Sequence, residues 1–252
     1  MNQIKTGLQE VKRNFQVILD DRASFVIDEA ITELEISKKK FDEWERKTHA
    51  PGRGPQSWGY SISPNKPLRF IQSKVIKGQN IWADLFCKVS WKKEEEMPIE
   101  QNVCLRVWSD SLDDFAYRAD MDSEKVLEKL TNPNHPFDGR VMFRCHFDLA
   151  DEKQLNPKYH LQFGGNPQVE ELCWFPEALK LPRFAFPPMD LILVCQLIAA
   201  NFYWEEYNQF RETPEWMNAL RNSQERLLKN YYKDCFNAIN QERSLLDYLW
   251  NL

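Results

Sequence analysis

Several features that define common protein classes are scarce in this sequence or absent from it. Glycine is scarce, with eight residues in 252, which argues against a disordered chain or a repeat architecture. The longest apolar run, residues 191–204, contains Gln196 and Asn201 and is too short to cross a bilayer. The N-terminal segment has no apolar signal core. We therefore expect a cytoplasmic protein with no membrane partner.

Motifs of familiar enzyme classes are also missing. None of the six cysteines forms a Cys-x-x-Cys pair, so zinc-site spacing is absent, and we expect reduced cysteines in the core. The sequence has no Gly-x-Ser-x-Gly and no Walker motif. The Gly-x-Gly at residues 52–54 follows no predicted strand and opens no helix, so it does not predict a phosphate loop. Familiar hydrolase and NTPase classes lose support, and we expect no cofactor and no metal.

A basic charge excess is missing too, since the formal net charge is −5. This argues against broad coating of nucleic acid, which needs a basic footprint, but it leaves room for local contact with nucleic acid at a basic pocket. Aromatic residues, by contrast, are abundant at 13%, with nine Trp and 16 Phe. Because aromatic side chains bury large areas, we expect a well-packed core and an aromatic contact surface.

The chain divides into three predicted segments. Residues 1–50 carry apolar side chains at helical spacing and predict one long amphipathic helix, or two with a bend near Asp20 and Asp21. Residues 51–187 hold strands, with one short helix predicted at 121–130. Residues 188–252 return to helical spacing, and we expect these helices to form one compact domain with the sheet.

Strands and helices are therefore segregated along the chain, which indicates an α+β fold. We predict an antiparallel sheet of about five strands packed against a long N-terminal helix and a C-terminal helical group. Regular β-α-β alternation is missing, so a Rossmann-type sheet is disfavoured.

Polar residues alternate along two consecutive predicted strands near residues 141–149 and 159–163. If these strands pair with their apolar faces matched, the polar side chains collect on the opposite face, because a one-residue slip would invert every side chain. Asp84, Lys88 and Arg106 are candidates to join them from other strands. The predicted polar row consists of Arg144, His146, Asp148, His160 and Gln162.

This composition suits metal-independent RNA cleavage. His146 and His160 would serve as acid and base, and Asp148 would orient one imidazole. Arg144 would bind phosphate, Gln162 and Arg106 would contact substrate, and Arg183 would reach over the row as a clamp. Arg183 could instead lie in solvent or in a structural ion pair.

Other interpretations of the same residues stay open. His146, Asp148 and His160 could bind a metal, although no helical His pattern supports this. The row could also be a solvated sheet face or an internal ion-pair network beneath the C-terminal helices.

The sequence also resembles uncharacterised prokaryotic proteins of toxin–antitoxin and antiphage-defence neighbourhoods. The similarity covers about residues 140–202. It is carried by Arg-x-His-Phe-Asp, by His-Leu-Gln-x-Gly-Gly, and by Leu-Pro-Arg and Pro-Met-Asp-Leu before an apolar helix. The resemblance implies a bacterial cytosolic setting and supplies no activity and no catalytic residue.

Together these observations predict a cytosolic prokaryotic accessory subunit of a defence or toxin-like system. It would act by contact with a protein encoded nearby or with further copies of itself. The alternative is a metal-independent, RNase-like effector that uses the polar row.

Overall fold

The computed structural model describes residues 1–47, 55–76, 79–93, 97–109, 141–150, 157–163 and 183–241, together with Ser244 and Leu249. The short helix predicted at 121–130 and the predicted helical end beyond residue 244 lie outside these ranges, apart from Leu249.

The fold is α+β, as the segregation of strands and helices predicted. The helices are α1 (Asn2–Asn14), α2 (Ala23–Lys47), α3 (Leu191–Phe202), α4 (Trp204–Phe210), α5 (Pro214–Gln224) and α6 (Asn230–Asn240), with a π-helical turn at Glu225–Lys229 between α5 and α6. The strands are β1 (Trp58–Ile62), β2 (Leu68–Ile76), β3 (Gln79–Trp91), β4 (Glu100–Ser109), β5 (Val141–Leu149), β6 (Tyr159–Phe163) and β7 (Phe184–Ala185).

All described strand pairs are antiparallel, in the order β1-β3-β4-β5-β6-β7. β2 also pairs with β3, so β1 and β2 share one edge of that long strand, at Cys87–Trp91 and Gln79–Leu85. The described sheet has seven strands instead of about five, because β1 lies in a segment rich in Pro, Gly and Ser, which is typical of a loop, and β7 has only two residues.

The N-terminal segment forms two helices, which is the second of the two alternatives that the sequence left open, in place of one long helix. The chain leaves helical geometry after α1 because Leu19 forms a β-bridge with Phe70. The Asp20 N–H donates to the Arg69 carbonyl, and the Ile71 N–H donates to the Ile18 carbonyl, both at 2.9 Å. This pairing with β2 satisfies backbone groups that a continuous helix would have bonded internally.

The core lies between the helices and one face of the sheet. Leu85, Val103 and Leu105 point into it from the central strands, and α3 is buried at nearly every position of its first turns. One cluster of buried side chains contains residues from all three predicted segments. The exact segment boundaries remain predictions.

A buried ion pair fixes the helix pair α5–α6 to the start of α3. Asp190 caps α3 by accepting the Leu193 N–H at 3.0 Å. Its other oxygen accepts from Ser223 Oγ at 2.5 Å and from Arg226 Nη2 at 2.7 Å. Arg226 lies in the π-helical turn, and both charged side chains are almost completely inaccessible. The continuous helical segment that runs from α5 through the π-helical turn into α6 is therefore anchored just before α6 begins.

Cys87, Cys104, Cys145 and Cys195 are buried thiols without disulfides, and Cys235 is half-buried. Burial raises the pKa of Cys104 to about 12 and raises that of Cys87 further, so these thiols are protonated and unreactive at neutral pH. Among the described residues, no helix has both the length and the apolar character needed to span a membrane.

Candidate functional site

The register of the sheet brings the predicted polar row together on the face opposite the core. His146 pairs with Gln162 and Asp148 pairs with His160 between β5 and β6. The apolar residues of the two strands match on the other face, as the alternation predicted. Arg144 pairs with Arg106 on β4, and Arg106 pairs with Asp84 on β3. The row therefore extends across β3 to β6.

Asp84 is the most deeply buried charge on this face, with no accessible surface. Arg69 on β2 binds both of its oxygens in a bidentate pair, at 2.7 and 2.9 Å. Arg106 Nη2 donates to the Asp84 Oδ2 atom at 3.1 Å. The carboxylate raises the pKa of Arg69. Hydrogen bonds between a guanidinium group and a carboxylate are strong, and a bidentate pair also fixes their relative orientation. Asp84 therefore holds both guanidinium groups in place.

Arg69 was not among the predicted site residues. It occupies the polar face because Leu68 and Phe70 on either side of it point into the core. The alternation of the first residues of β2 indicates that Arg69 faces away from the core. The alternation does not continue along the strand, because the pairing of β2 with β3 is irregular between Phe70 and Ile76.

His146 lies beside Arg144 in the middle of the row. The Arg144 Nε–H donates to His146 Nε2 at 3.0 Å, and Cys104 Sγ lies 3.7 Å from the same nitrogen. A nitrogen that accepts a hydrogen bond carries no proton, so this contact favours neutral His146 with its proton on Nδ1. Phe86 was also not among the predicted site residues. The centre of its ring lies 5.9 Å from the guanidinium carbons of both Arg106 and Arg144, which is a cation–π distance.

His160 is buried, with only 4% of its surface exposed. Its Nδ1 atom lies 3.0 Å from the Pro157 carbonyl and donates to it. Burial lowers the pKa of His160, the Pro157 carbonyl acts in the opposite direction, and Arg183 lowers it further. This histidine is therefore neutral at pH 7 and is a poor source of the imidazolium acid that the predicted two-histidine mechanism needs.

Arg183 and Gln162 contact each other at the edge of the row. The Arg183 Nε–H donates to Gln162 Oε1 at 2.9 Å, so Arg183 reaches the polar face, and its role as a clamp stays a prediction. Lys88 instead extends to the margin, where it is exposed and pairs with Glu100 at 2.6 Å.

Asp148 differs from its neighbours in the row. Its Oδ1 atom is buried and accepts no hydrogen bond in the described part of the chain. Burial raises the pKa of Asp148 from 3.8 to about 7, although Arg183 and Arg144 act in the opposite direction. The carboxyl group therefore exchanges a proton near neutral pH, which is a property of groups that perform acid–base chemistry.

The donor arrangement does not favour a metal. Within the described ranges, no three His, Cys, Asp or Glu side chains form a group that could hold a metal ion. This finding counts against His146, Asp148 and His160 as a ligand set.

A second feature lies on α6, whose Tyr231 ring is 6.1 Å from the ring of Tyr159 on β6. Tyr232, Phe236 and Ile239 are 56%, 63% and 55% exposed and follow the i, i+4, i+7 spacing of one helix face. Within Asn230–Asn240 the one buried residue is Ala238. We call these three side chains the α6 stripe.

A groove with an apolar floor runs along the outer face of α2. Its volume is about 690 Å³, and it is bounded on the other side by Pro55 and Ser57, which precede β1. Phe25 and Ile36 provide its exposed apolar surface, at 58% and 48%. We call this feature the α2 groove.

No known family profile, curated protein or solved structure matches this chain.

Proposed function

We propose that this protein is a cytosolic prokaryotic accessory subunit that acts by protein–protein contact. The observation that carries the proposal is the α6 stripe, where three large apolar side chains stay more than half exposed on one helix face. Full burial of such a side chain contributes about 1.5–3 kcal/mol, so covering the exposed parts of all three would contribute about 3–5 kcal/mol. Contiguous exposed apolar surface of this kind is typical of interaction sites.

The contacts within the polar row support the same proposal. Asp84 is bound by two arginines, Arg144 donates to His146, and Arg183 donates to Gln162. These groups satisfy one another, as in a network that fixes the geometry of a sheet face. The buried, protonated thiols fit a reducing compartment. The assignment to a defence or toxin-like system rests on the resemblance of residues 140–202.

Co-expression with the products of adjacent genes tests the proposal. Size-exclusion chromatography should show a stable complex for the unaltered chain and loss of that complex for Phe236→Glu. Met217→Glu is the matched control, because Met217 is an exposed apolar residue on the preceding helix α5 and lies outside the α6 stripe. If the unaltered chain binds none of these proteins, or if both variants behave alike, the proposal is wrong.

A second candidate function is metal-independent cleavage of RNA on the polar row. It is favoured by Asp148, whose pKa is about 7, so that its carboxyl group exchanges a proton near neutral pH. Asp148 lies on the same sheet face as His146 and Arg144. In this version Asp148 supplies the acid, because buried His160 does not.

Incubation with single-stranded RNA in the presence of a chelator tests this candidate. His146→Ala should abolish cleavage while the melting temperature changes little, and Asp148→Asn should abolish cleavage without lowering the melting temperature. Asn102→Ala, at an exposed position beside Asp148 on the neighbouring strand, is the control. Unfolding of both variants, or full activity in both, would leave the row with a structural role only.

A further inference from the structure

The polar row keeps unused hydrogen-bond donors at its corner next to β7. Arg183 directly precedes β7, and its Nε–H donates to Gln162 Oε1 on β6 at 2.9 Å. Within the described part of the chain, neither side chain makes a second hydrogen bond or an ion pair. Both Nη groups of Arg183 and the amide N–H2 group of Gln162 are therefore available as donors to a ligand.

Asp148 lies beside these donors on the same face of the sheet, on the neighbouring strand β5. Its Oδ1 atom is buried and has no hydrogen-bond partner among the described residues. Arg183 acts on Asp148 electrostatically, but no ion pair joins the two side chains in the described structure. An arginine and a carboxyl group that share a sheet face without direct contact leave polar atoms on both sides for a third group to bind.

Solvent reaches this corner from the edge of the described sheet. Phe184 in β7 is 49% exposed, and Ala185 is exposed as well. Ala185 pairs with His160, so its small side chain lies on the polar face. Arg183, Gln162 and Asp148 are each half-buried. A small ion can therefore approach these three residues from the edge without displacing a strand.

The available donors fit an oxyanion. The guanidinium group of Arg183 can bind two oxygens of a sulfate or phosphate group in a bidentate pair, and the amide of Gln162 adds a further N–H. Protonated Asp148 adds an O–H donor, whereas its carboxylate form would repel an anion. Burial raises the pKa of Asp148 to about 7, so the protonated form is well populated near neutral pH.

We propose that Arg183, Gln162 and Asp148 bind a tetrahedral oxyanion, a sulfate or a phosphate group, and that Asp148 takes up a proton from solvent when the anion binds. The proton bonds to one oxygen of the carboxyl group, which then donates it in a hydrogen bond to the anion. This site goes beyond the accessory role, because it does not involve the α6 stripe. It also requires binding only, without cleavage of RNA.

Among the described groups around it, Asp148 is the one whose charge changes near pH 7. Burial outweighs the opposite effects of Arg183 and Arg144 on its pKa. Burial also keeps His160 neutral, and the hydrogen bond from Arg144 favours neutral His146. On β3 and β4 the same face carries Asp84 paired with Arg69 and Arg106, Lys88 paired with Glu100, and Cys104, which burial keeps protonated.

Isothermal titration calorimetry of sulfate into the purified full chain tests the inference, with chloride holding the ionic strength constant. Sulfate keeps the same charge from pH 5 to 9, so any pH dependence belongs to the protein. The affinity should fall above about pH 7, by up to about tenfold for each pH unit, because binding requires protonated Asp148. Titrations in two buffers of different ionisation enthalpy should show uptake of about one proton per sulfate at pH 8 and little uptake at pH 6.

Two variants and a control locate the site. Arg183→Gln should weaken sulfate binding at pH 6 by about tenfold or more, because it removes the bidentate donor and its charge. Asp148→Asn keeps a donor that does not titrate, so its affinity at pH 8 should approach that of the unaltered chain at pH 6, without proton uptake. Arg221→Gln is the control, because Arg221 is exposed on α5, and this variant should bind sulfate like the unaltered chain.

Free phosphate and a nucleotide carry the same anionic group, and a comparison at pH 6 distinguishes them. Adenosine monophosphate that binds more tightly than inorganic phosphate, with binding weakened by Arg183→Gln, would identify a nucleotide as the source. Equal affinities that Arg183→Gln lowers alike would identify a free anion.

Three results would overturn the inference. The first is the absence of saturable sulfate binding at pH 6, and the second is an unchanged affinity in folded Arg183→Gln. The third is a pH dependence that persists in Asp148→Asn, since the proton would then belong to another group. If Arg183→Gln does not fold, proton uptake by the unaltered chain and its loss in Asp148→Asn decide the outcome. The proposed function fails separately, because a chain that binds no sulfate but forms the complex with an adjacent gene product keeps its accessory role.

Discussion

Asp148→Asn should change how the stability of this protein depends on pH. The pKa of Asp148 is about 7 in the folded protein and 3.8 for an unperturbed side chain, because burial disfavours the charged carboxylate. Below about pH 4 the group is protonated in both the folded and unfolded states. Between about pH 4 and 7 the folded state holds a proton that the unfolded state has released, so the free energy of unfolding falls as pH rises. Above about pH 7 the loss is complete.

The size of this effect follows from the same values. At about 1.4 kcal/mol for each unit of pKa, the rise from 3.8 to about 7 corresponds to about 4 kcal/mol. Asparagine has nearly the same shape and no charge. Asp148→Asn should therefore raise the free energy of unfolding by up to about 4 kcal/mol at pH 8 and change it little at pH 4.

Urea denaturation at several pH values between 4 and 9 measures the effect. The informative quantity is the difference between variant and unaltered chain at each pH, since other groups that titrate in this range cancel from it. Asp234→Asn, on the exposed side of α6, is the control and should give a small difference at every pH. A constant difference for Asp148→Asn from pH 4 to 9 would refute the assignment of a buried, proton-exchanging carboxyl group.

Three further perturbations test a buried ion pair, a close backbone contact and the interaction of Arg183 with Asp148. Asp190→Ala should lower the free energy of unfolding by about 3–5 kcal/mol, because it leaves buried Arg226 without its charged partner; a loss below about 1 kcal/mol in urea denaturation would contradict a buried pair. Gly59→Ala should lower the melting temperature more than Gly7→Ala, because its added carbon would lie 2.1 Å from the Val89 carbonyl, whereas at Gly7 the nearest atom is the end of the Ile192 side chain; equal losses would refute this. Arg183→Gln should destabilise the protein at pH 8 more than at pH 5, because Arg183 lowers the pKa of Asp148; equal destabilisation at both pH values would exclude that interaction.

The sheet face on which the polar residues lie could be predicted from the sequence. Side chains alternate between the two faces of a strand, and the apolar set must point into the core. The register that pairs His146 with Gln162 and Asp148 with His160 does not follow from that constraint, because a shift of two residues would keep the faces matched. Burial within the polar face could not be predicted in the same way. His160 has the alternation of an exposed residue and is 4% exposed, because its environment depends on the chain around Pro157, which periodicity does not describe.

Long-range contacts explain the other differences between prediction and structure. The pattern of residues 1–50 left open one long helix or two with a bend near Asp20 and Asp21, and the bridge between Leu19 and Phe70 produces the second arrangement. Propensity is a weak guide where a tertiary contact of this kind competes with it. Arg69 was missed for a related reason, since its role depends on the register of β2 against Asp84.

The two functional surfaces differ in how completely their groups are satisfied. On the polar face the arginines, Gln162 and both histidines already have hydrogen-bond partners within the chain, so a ligand over most of this face would have to replace existing contacts. On α6, Tyr232, Phe236 and Ile239 remain largely in water, and a partner would gain their burial without breaking an internal bond. Asp148 Oδ1, buried without a partner among the described residues, is the exception on the polar face, together with the Nη groups of Arg183. A protein partner is therefore expected first at α6, and an anion, or chemistry on the sheet if the RNA assay finds it, is expected at Asp148.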